Sequence, residues 1–131
     1  MVNIRVKGQC GEREFLSKLS DHLELEVGLT RNLSQTREGG ADCIQLEGYS
    51  IEIKNQRTVT LPEWWKQTIR QAQLSQSIPI LAYKVPRKGW LVVCPFSWIQ
   101  TPIDYGRDLY PELIDTVQMS LENWTKLYRS K

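Results

Sequence analysis

Residues Ala41 to Gln56 read ADCIQLEGYSIEIKNQ. The runs DCIQLE and SIEIK alternate between apolar and polar residues and join at Gly48-Tyr49, which reads as a β-hairpin. A period of two sends Glu52 and Lys54 to one side of their strand and Ile51 and Ile53 to the other. Asp42 opens the partner strand just after Gly39-Gly40, where glycine permits positive φ values and close backbone approach. Across a short hairpin its carboxylate could lie beside Glu52, so that two carboxylates and one ammonium converge. The solvated face of an ordinary amphipathic hairpin would produce the same pattern. The rest of the chain has to discriminate between these readings.

A chain of 131 residues, 40% hydrophobic and 24% charged, is of ordinary size and composition for one soluble domain with its own core. One domain spanning residues 1–131 is expected, since no repeat, low-complexity tract or Pro/Gly/Ser linker marks a boundary. No apolar run approaches the roughly 18 residues of a membrane span, and the start lacks a secretory signal, so a cytoplasmic location is expected. Cys10, Cys43 and Cys94 are odd in number and widely separated, as befits buried free thiols. With His22 the only histidine, a structural zinc site is discounted. The net charge of +2 does not by itself announce nucleic-acid binding. Distribution is more informative: Lys54 and Arg57 flank the strand, Lys66 and Arg70 follow, and Lys84, Arg87 and Lys88 cluster around one turn.

Outward from the hairpin, Phe15, Leu16, Leu19 and Leu23 recur at helical spacing and mark an amphipathic helix from about Gln9 to Leu23. Glu14, Lys18 and Asp21 fall on its wet side. EVGLTRNL (26–33) reads as a strand and SQTREGG (34–40) as a turn. After the hairpin, Thr60 and Glu63 form a capping-box pattern ahead of a second helix through WWKQTIRQAQLSQ, with Pro62 in its first turn. Trp65, Ile69 and Ala72 share its core side, and Trp64 is read as packing, with a base-stacking platform on the face of Gln67 and Gln71 as the alternative. IPILAYKV and GWLVVCP are strands around the turn PRKG, the second apolar enough to be central. A last helix is expected from about Pro111 to Tyr128, with Leu113, Val117, Leu121 and Trp124 on one face. The order helix, strand, hairpin, helix, strand, strand, helix specifies an α/β fold, a mixed central sheet flanked by helices.

Glu12 completes the grouping. Four residues before Leu16 and seven before Leu19, it shares the apolar stripe, and a carboxylate aimed at a core needs a partner. A half-exposed acid favoured by the helix dipole is the alternative. Carboxylates at a strand end suit Mg²⁺, a hard cation held by one or two protein carboxylates together with waters and phosphates. Such an ion polarises phosphoryl oxygens and acidifies water, while Lys54 could orient that water or stabilise charge on the transition state.

These residues resemble the PD-(D/E)xK nuclease superfamily, most nearly its Holliday junction resolvase-like branch with phage and archaeal members. The likeness runs from about Lys7 to Val93. KGQCGEREF is similar to the family's opening helix, REGGAD to the loop bearing its first metal-binding aspartate, and IEIK to its Glu-x-Lys strand. The resemblance implies a restriction-endonuclease-type core. It gives Glu12 the helix-borne acid, Asp42 and Glu52 the metal ligands, and Lys54 the catalytic lysine. Gly40-Ala41-Asp42 departs from the Pro-Asp of the superfamily name. LPEWWKQTIRQAQ also resembles a Trp-x-x-Gln element of phage-type relatives, which makes Gln67 a candidate partner for Lys54 or the phosphate; a helix with Gln71, Gln73 and Gln76 as well could equally be simply Gln-rich. Arg31 and Arg37 flank the Asp42 loop and could meet phosphates or be surface charge.

The resemblance implies a Mg²⁺-dependent endodeoxyribonuclease, with Mn²⁺ as substitute metal, acting on branched or four-way junction DNA as a homodimer. A restriction- or repair-type nuclease for linear or nicked duplex would share the same core. A catalytically silent DNA-binding module would be expected to lose an acid or the lysine. A generic α/β interaction domain would carry these acids as surface charge.

Overall fold

The computed structural model of the chain describes residues 4–23, 46–99 and 109–131, with side chains from Arg13 onward in the first helix. The described elements run α1 (Ile4–Leu23), β1 (Tyr49–Lys54), α2 (Leu61–Ser75), β2 (Ile78–Val85), β3 (Gly89–Pro95), a short α3 (Phe96–Ile99), a 3₁₀ turn (Leu113–Asp115), β4 (Thr116–Ser120) and α4 (Leu121–Arg129). The four strands lie in the order β1-β2-β3-β4. β1 and β2 are parallel, with α2 as the crossover between them, while β3 is antiparallel to both β2 and β4. The sheet is therefore mixed, and the fold is α/β as expected.

Each sheet face follows from strand alternation. Ile51 and Ile53 stand in register with Ile80 and Ala82, and the same face continues through Val92 and Cys94. Phe15, Leu16 and Leu19 of α1 and Leu121 and Trp124 of α4 close this core, together with Trp98. The opposite face presents Leu81, Tyr83 and Val93, covered by Trp64 and Trp65 of α2. Both faces of β1 are consequently roofed, and Ser50 to Ile53 are all buried. The amphipathic pattern of SIEIK thus does not mark a solvated face. Burying a strand on both sides is the usual consequence of a parallel crossover that places helices over the sheet.

Several local expectations change. α1 begins earlier than Gln9, at Ile4. Of the expected strand 42–47, the described residues Leu46 and Glu47 form a turn with Gly48, whose φ of 83° suits glycine. The strands expected over 26–33 and from Asp42, with the turn at 34–40, lie otherwise outside the described residues, as do Arg31, Arg37 and Cys43. Thr60 is the N-cap of α2, but its side chain forms no capping bond. Its ψ of 68° departs from the extended backbone that Ser120 adopts at the start of α4, where the hydroxyl accepts from the Asn123 N–H at 3.1 Å.

The expected helix over 111–128 is instead a 3₁₀ turn, a strand and a nine-residue helix. Leu113, Val117, Leu121 and Trp124 have helical spacing, yet Leu113 packs on the α2 face while Leu121 and Trp124 pack on the α1 face. One helical stripe cannot serve both. Pairing with β3 decides the matter, Cys94 facing Val117 and Val92 facing Met119 in the ladder.

Glu14, about one-third exposed at the border of the wet side of α1, forms an ion pair. Both of its carboxylate oxygens accept from Lys84 Nζ, at 2.8 and 2.9 Å, and Oε1 also accepts from Trp90 Nε1 at 3.4 Å. Lys18 and Asp21 are exposed as expected. The Glu14–Lys84 pair ties α1 to the β2–β3 hairpin. Cys94 is a buried free thiol as expected, and burial pushes it up to about 12.

The hydrogen bond from Lys84 holds the Glu14 carboxyl below its ordinary 4.5. Its contribution to stability is therefore present above about pH 4.5 and lost as the pH falls through the lowered value. Glu14→Gln should flatten this part of the stability profile between pH 7 and pH 3, read by urea unfolding. Because the pair is about one-third exposed, the loss at pH 7 is expected to be about 1 kcal/mol or less.

Candidate active site at the carboxyl end of β1

β1 ends at Lys54, and residues 55–60 lead directly into α2, so the strand end and the first turns of the helix are close neighbours. Glu52 and Lys54 pair in register with Leu81 and Tyr83, which places both on the sheet face that α2 covers. Glu52 is only 4% exposed. An isolated carboxylate at such a position would be strongly disfavoured, so the groups around it are decisive.

Two of them converge on one oxygen. Gln67, in the second turn of α2, donates from Nε2 to Glu52 Oε1 at 3.2 Å. Lys54 Nζ lies 3.5 Å from the same Oε1. An ionised carboxylate only accepts hydrogen bonds, so the Gln67 amide must present its NH₂ group to it. Lys54 supplies the compensating charge from two residues along the strand. Its side chain is itself only 15% exposed, which leaves the ion pair little screened by water.

The surroundings hold this arrangement in place. Trp64, three residues before Gln67, packs against Tyr83 with ring centroids 5.8 Å apart. Thr68 donates to the Trp64 carbonyl at 2.8 Å, and Trp65 Nε1 donates to the Pro111 carbonyl at 2.9 Å. The two tryptophans, through Tyr83 and Pro111, therefore hold α2 in the rotation that aims Gln67 at β1. Trp64 and Trp65 are packing residues, as expected, and Ala72 is buried with them. Tyr83, the register partner of Lys54, donates its hydroxyl to Gln118 Oε1 on β4, and burial keeps the phenol above its ordinary range.

Of the five site residues expected from the sequence, Glu52, Lys54 and Gln67 are brought together. Glu12 lies on the described backbone of α1, but its side chain is outside the described residues, and so is the whole of Asp42. Among the described residues no three His, Cys, Asp or Glu side chains gather into a metal-binding cluster. The donor chemistry nevertheless fits a hard divalent ion, since Glu52 offers the carboxylate oxygen that such an ion takes.

The family model described as "Phage putative PDDEXK endonuclease" matches residues 3–130. The chain belongs to this phage PDDEXK endonuclease family. The match takes in nearly the entire chain, and the mixed sheet with flanking helices agrees with a PDDEXK-type nuclease fold. Membership supports nuclease activity on DNA, and PDDEXK nucleases are generally dependent on divalent metals. It does not extend to the Holliday junction resolvase-like branch. No curated protein matches the chain. None of the described helices is long and apolar enough to cross a membrane.

Removing the Gln67 amide takes a donor from a buried carboxylate. Gln67→Ala is expected to lower stability by about 1–3 kcal/mol in urea unfolding at pH 7. A cycle with Glu52→Gln should return a coupling of about 0.5–3 kcal/mol, whereas a merely Gln-rich helix surface would give none.

Proposed function

We propose that this PDDEXK-family protein is a Mg²⁺-dependent endodeoxyribonuclease that cuts branched DNA as a homodimer, with the 131-residue chain as one catalytic domain. The observation that carries the reading is the convergence of Lys54 and Gln67 on the buried Glu52 carboxylate at a strand end, within a chain matched by an endonuclease family. A solvated, ordinary surface would not need to neutralise a glutamate that is 4% exposed.

Asp42 and Glu52 hold the metal in this reading, and Glu12 completes the site or binds a second ion. When bound, the ion supplies electrophilic stabilisation of the phosphoryl oxygens and a more acidic water. Lys54 acts on the nucleophile and the transition state: its ammonium orients the attacking water and stabilises negative charge as water adds to phosphorus and the P–O ester bond breaks. Gln67 positions Glu52 through its amide, leaving its own carbonyl as an acceptor for a water or for Lys54. The burial of Glu52 under α2 strengthens each of these interactions relative to water.

Branched DNA and the homodimer rest on the likeness of the opening helix and the Glu-x-Lys strand to junction resolvases. Resolution by paired cuts needs two active sites, and a twofold dimer supplies them. With no membrane-spanning helix among the described ones and a phage endonuclease family, the host cytoplasm is the compartment proposed.

End-labelled four-way junction and matched linear duplex, each with Mg²⁺, Mn²⁺ or EDTA, test the reading. The wild-type protein should give paired, metal-dependent cuts in the junction, and Asp42→Ala and Lys54→Ala should each lose at least about 100-fold in rate. Equal cutting of both DNAs would assign the protein to linear or nicked duplex instead. Binding without cutting by wild type and variants alike would make it a silent DNA-binding module.

A further inference from the structure

Residues 54–88 carry seven basic side chains and one acid, Glu63, a local charge of +6 in a chain whose total is +2, which leaves −4 for all other residues. The fold concentrates this surplus in space. β2 runs parallel to β1, with Tyr83 opposite Lys54, so the β2–β3 turn at residues 86–88 lies at the same end of the sheet as Lys54. At the rise of a strand it begins about 10 Å further along. That turn is closed by the Lys88 N–H donating to the Val85 carbonyl at 3.0 Å, and it displays Arg87 and Lys88, both exposed. Arg57 stands in the connection that leaves β1.

α2 runs back from the Lys54 end along β1, so Lys66 is level with Glu52 and Arg70 about 4.5 Å beyond Gln67. Gln67 is on the flank of the helix turned toward Glu52, and Arg70 and Lys66 follow it around toward solvent at 100° per residue, on the side away from the buried Trp65 and Ala72. Both are exposed. Among the described residues none of Arg57, Lys66, Arg70, Arg87 and Lys88 forms an ion pair, whereas Lys84 is engaged by Glu14 and Lys126 by Glu122 on the other face. The opposite end of the sheet carries the exposed acids Glu47, before β1, and Glu112 and Asp115, before β4. The basic turn with Arg87 and Lys88 thus stands at the Lys54 end of the sheet, away from these three acids.

We propose that these five side chains form a two-sided phosphate track, with Arg57, Lys66 and Arg70 on one flank of the Glu52–Lys54 site and Arg87 and Lys88 on the other, along which the DNA backbone crosses the carboxyl end of β1. The inference rests on the nuclease reading and deepens it by naming the binding surface. Such interactions position the duplex without reading its sequence, because they engage phosphates rather than base edges. Exposed basic groups beside the site also attract the polyanion before it docks.

The test is binding of a fluorescein-labelled 30-base-pair duplex by anisotropy, in EDTA, from about 50 to 200 mM KCl, so that no cleavage enters the readout. Removing one side chain that neutralises a phosphate should make the slope of log K against log[KCl] shallower by about 0.9. Arg57→Gln/Lys66→Gln/Arg70→Gln should therefore lose up to about 2.7 in slope and Arg87→Gln/Lys88→Gln up to about 1.8. Lys126→Gln, removing one charge from α4 on the other face, should keep the wild-type slope. All are exposed positions, and retained unfolding midpoints would confirm intact folds. Unchanged slopes in both sets, with wild type cutting DNA, would overturn the track and leave the nuclease standing. A change in one set alone would overturn the two-sided path. Wild type that neither binds nor cuts DNA would overturn both readings.

Discussion

A carboxylate buried under a helix is the constraint on which the site depends. Glu52 lies in the middle of a strand covered on both faces, where an uncompensated negative charge would cost several kcal/mol. Lys54 can compensate it because strand alternation returns every second side chain to the same face. Gln67 reaches it because α2 crosses that face directly after the strand. The pairing is thus a product of the β-α-β crossover: the element that buries Glu52 also brings the amide that satisfies it. A retained cost of this kind is expected where a chain keeps a polar group for chemistry rather than for stability.

The two cores have different tasks. The larger one joins α1, α4 and the sheet through Phe15, Leu19, Ile51, Val92 and Trp124. The smaller one, Trp64, Trp65, Leu81, Tyr83 and Val93, holds α2 at a defined rotation over β1. Between them the strands carry alternate residues to alternate faces, so the geometry of Glu52 and Lys54 is specified by the same alternation that packs Ile51 and Ile53. Glu14 joins α1 to the hairpin carrying Arg87 and Lys88 through Lys84 and Trp90, which ties the helix bearing Glu12 to the basic end of the sheet.

Much of this was legible in the amino-acid order. Apolar periodicity located α1, α2, β1, β2 and β3, since each has one dominant period and punctuation at its ends; the turn PRKG, with Gly89 at a φ of 86°, separates two strands whose bounds match the reading. Strand alternation pointed to Glu52 and Lys54, while Gln67 came only from the family resemblance of the Trp-x-x-Gln element. The C-terminal segment was misread because Leu113, Val117, Leu121 and Trp124 satisfy a helical period while residues 116–120 also satisfy a strand period, and only the open ladder of β3 chooses between them. The ion pair of Glu14 was not legible for a related reason. Periodicity reports which side of a helix is apolar, but not that Lys84, 70 residues away, stands ready to neutralise a carboxylate at its border.

By itself the sequence determined the α/β class, the local elements, the surplus of basic residues between Lys54 and Lys88, and the side-chain types able to serve phosphodiester chemistry. These are properties of period, composition and spacing, which are local. Tertiary structure decided that SIEIK is roofed on both faces rather than half solvated, that Gln67 and Lys54 share one oxygen of Glu52, and that the turn carrying Arg87 and Lys88 stands at the Lys54 end of the sheet. Each of those depends on strand direction and helix rotation, which are set by packing between residues distant in the chain.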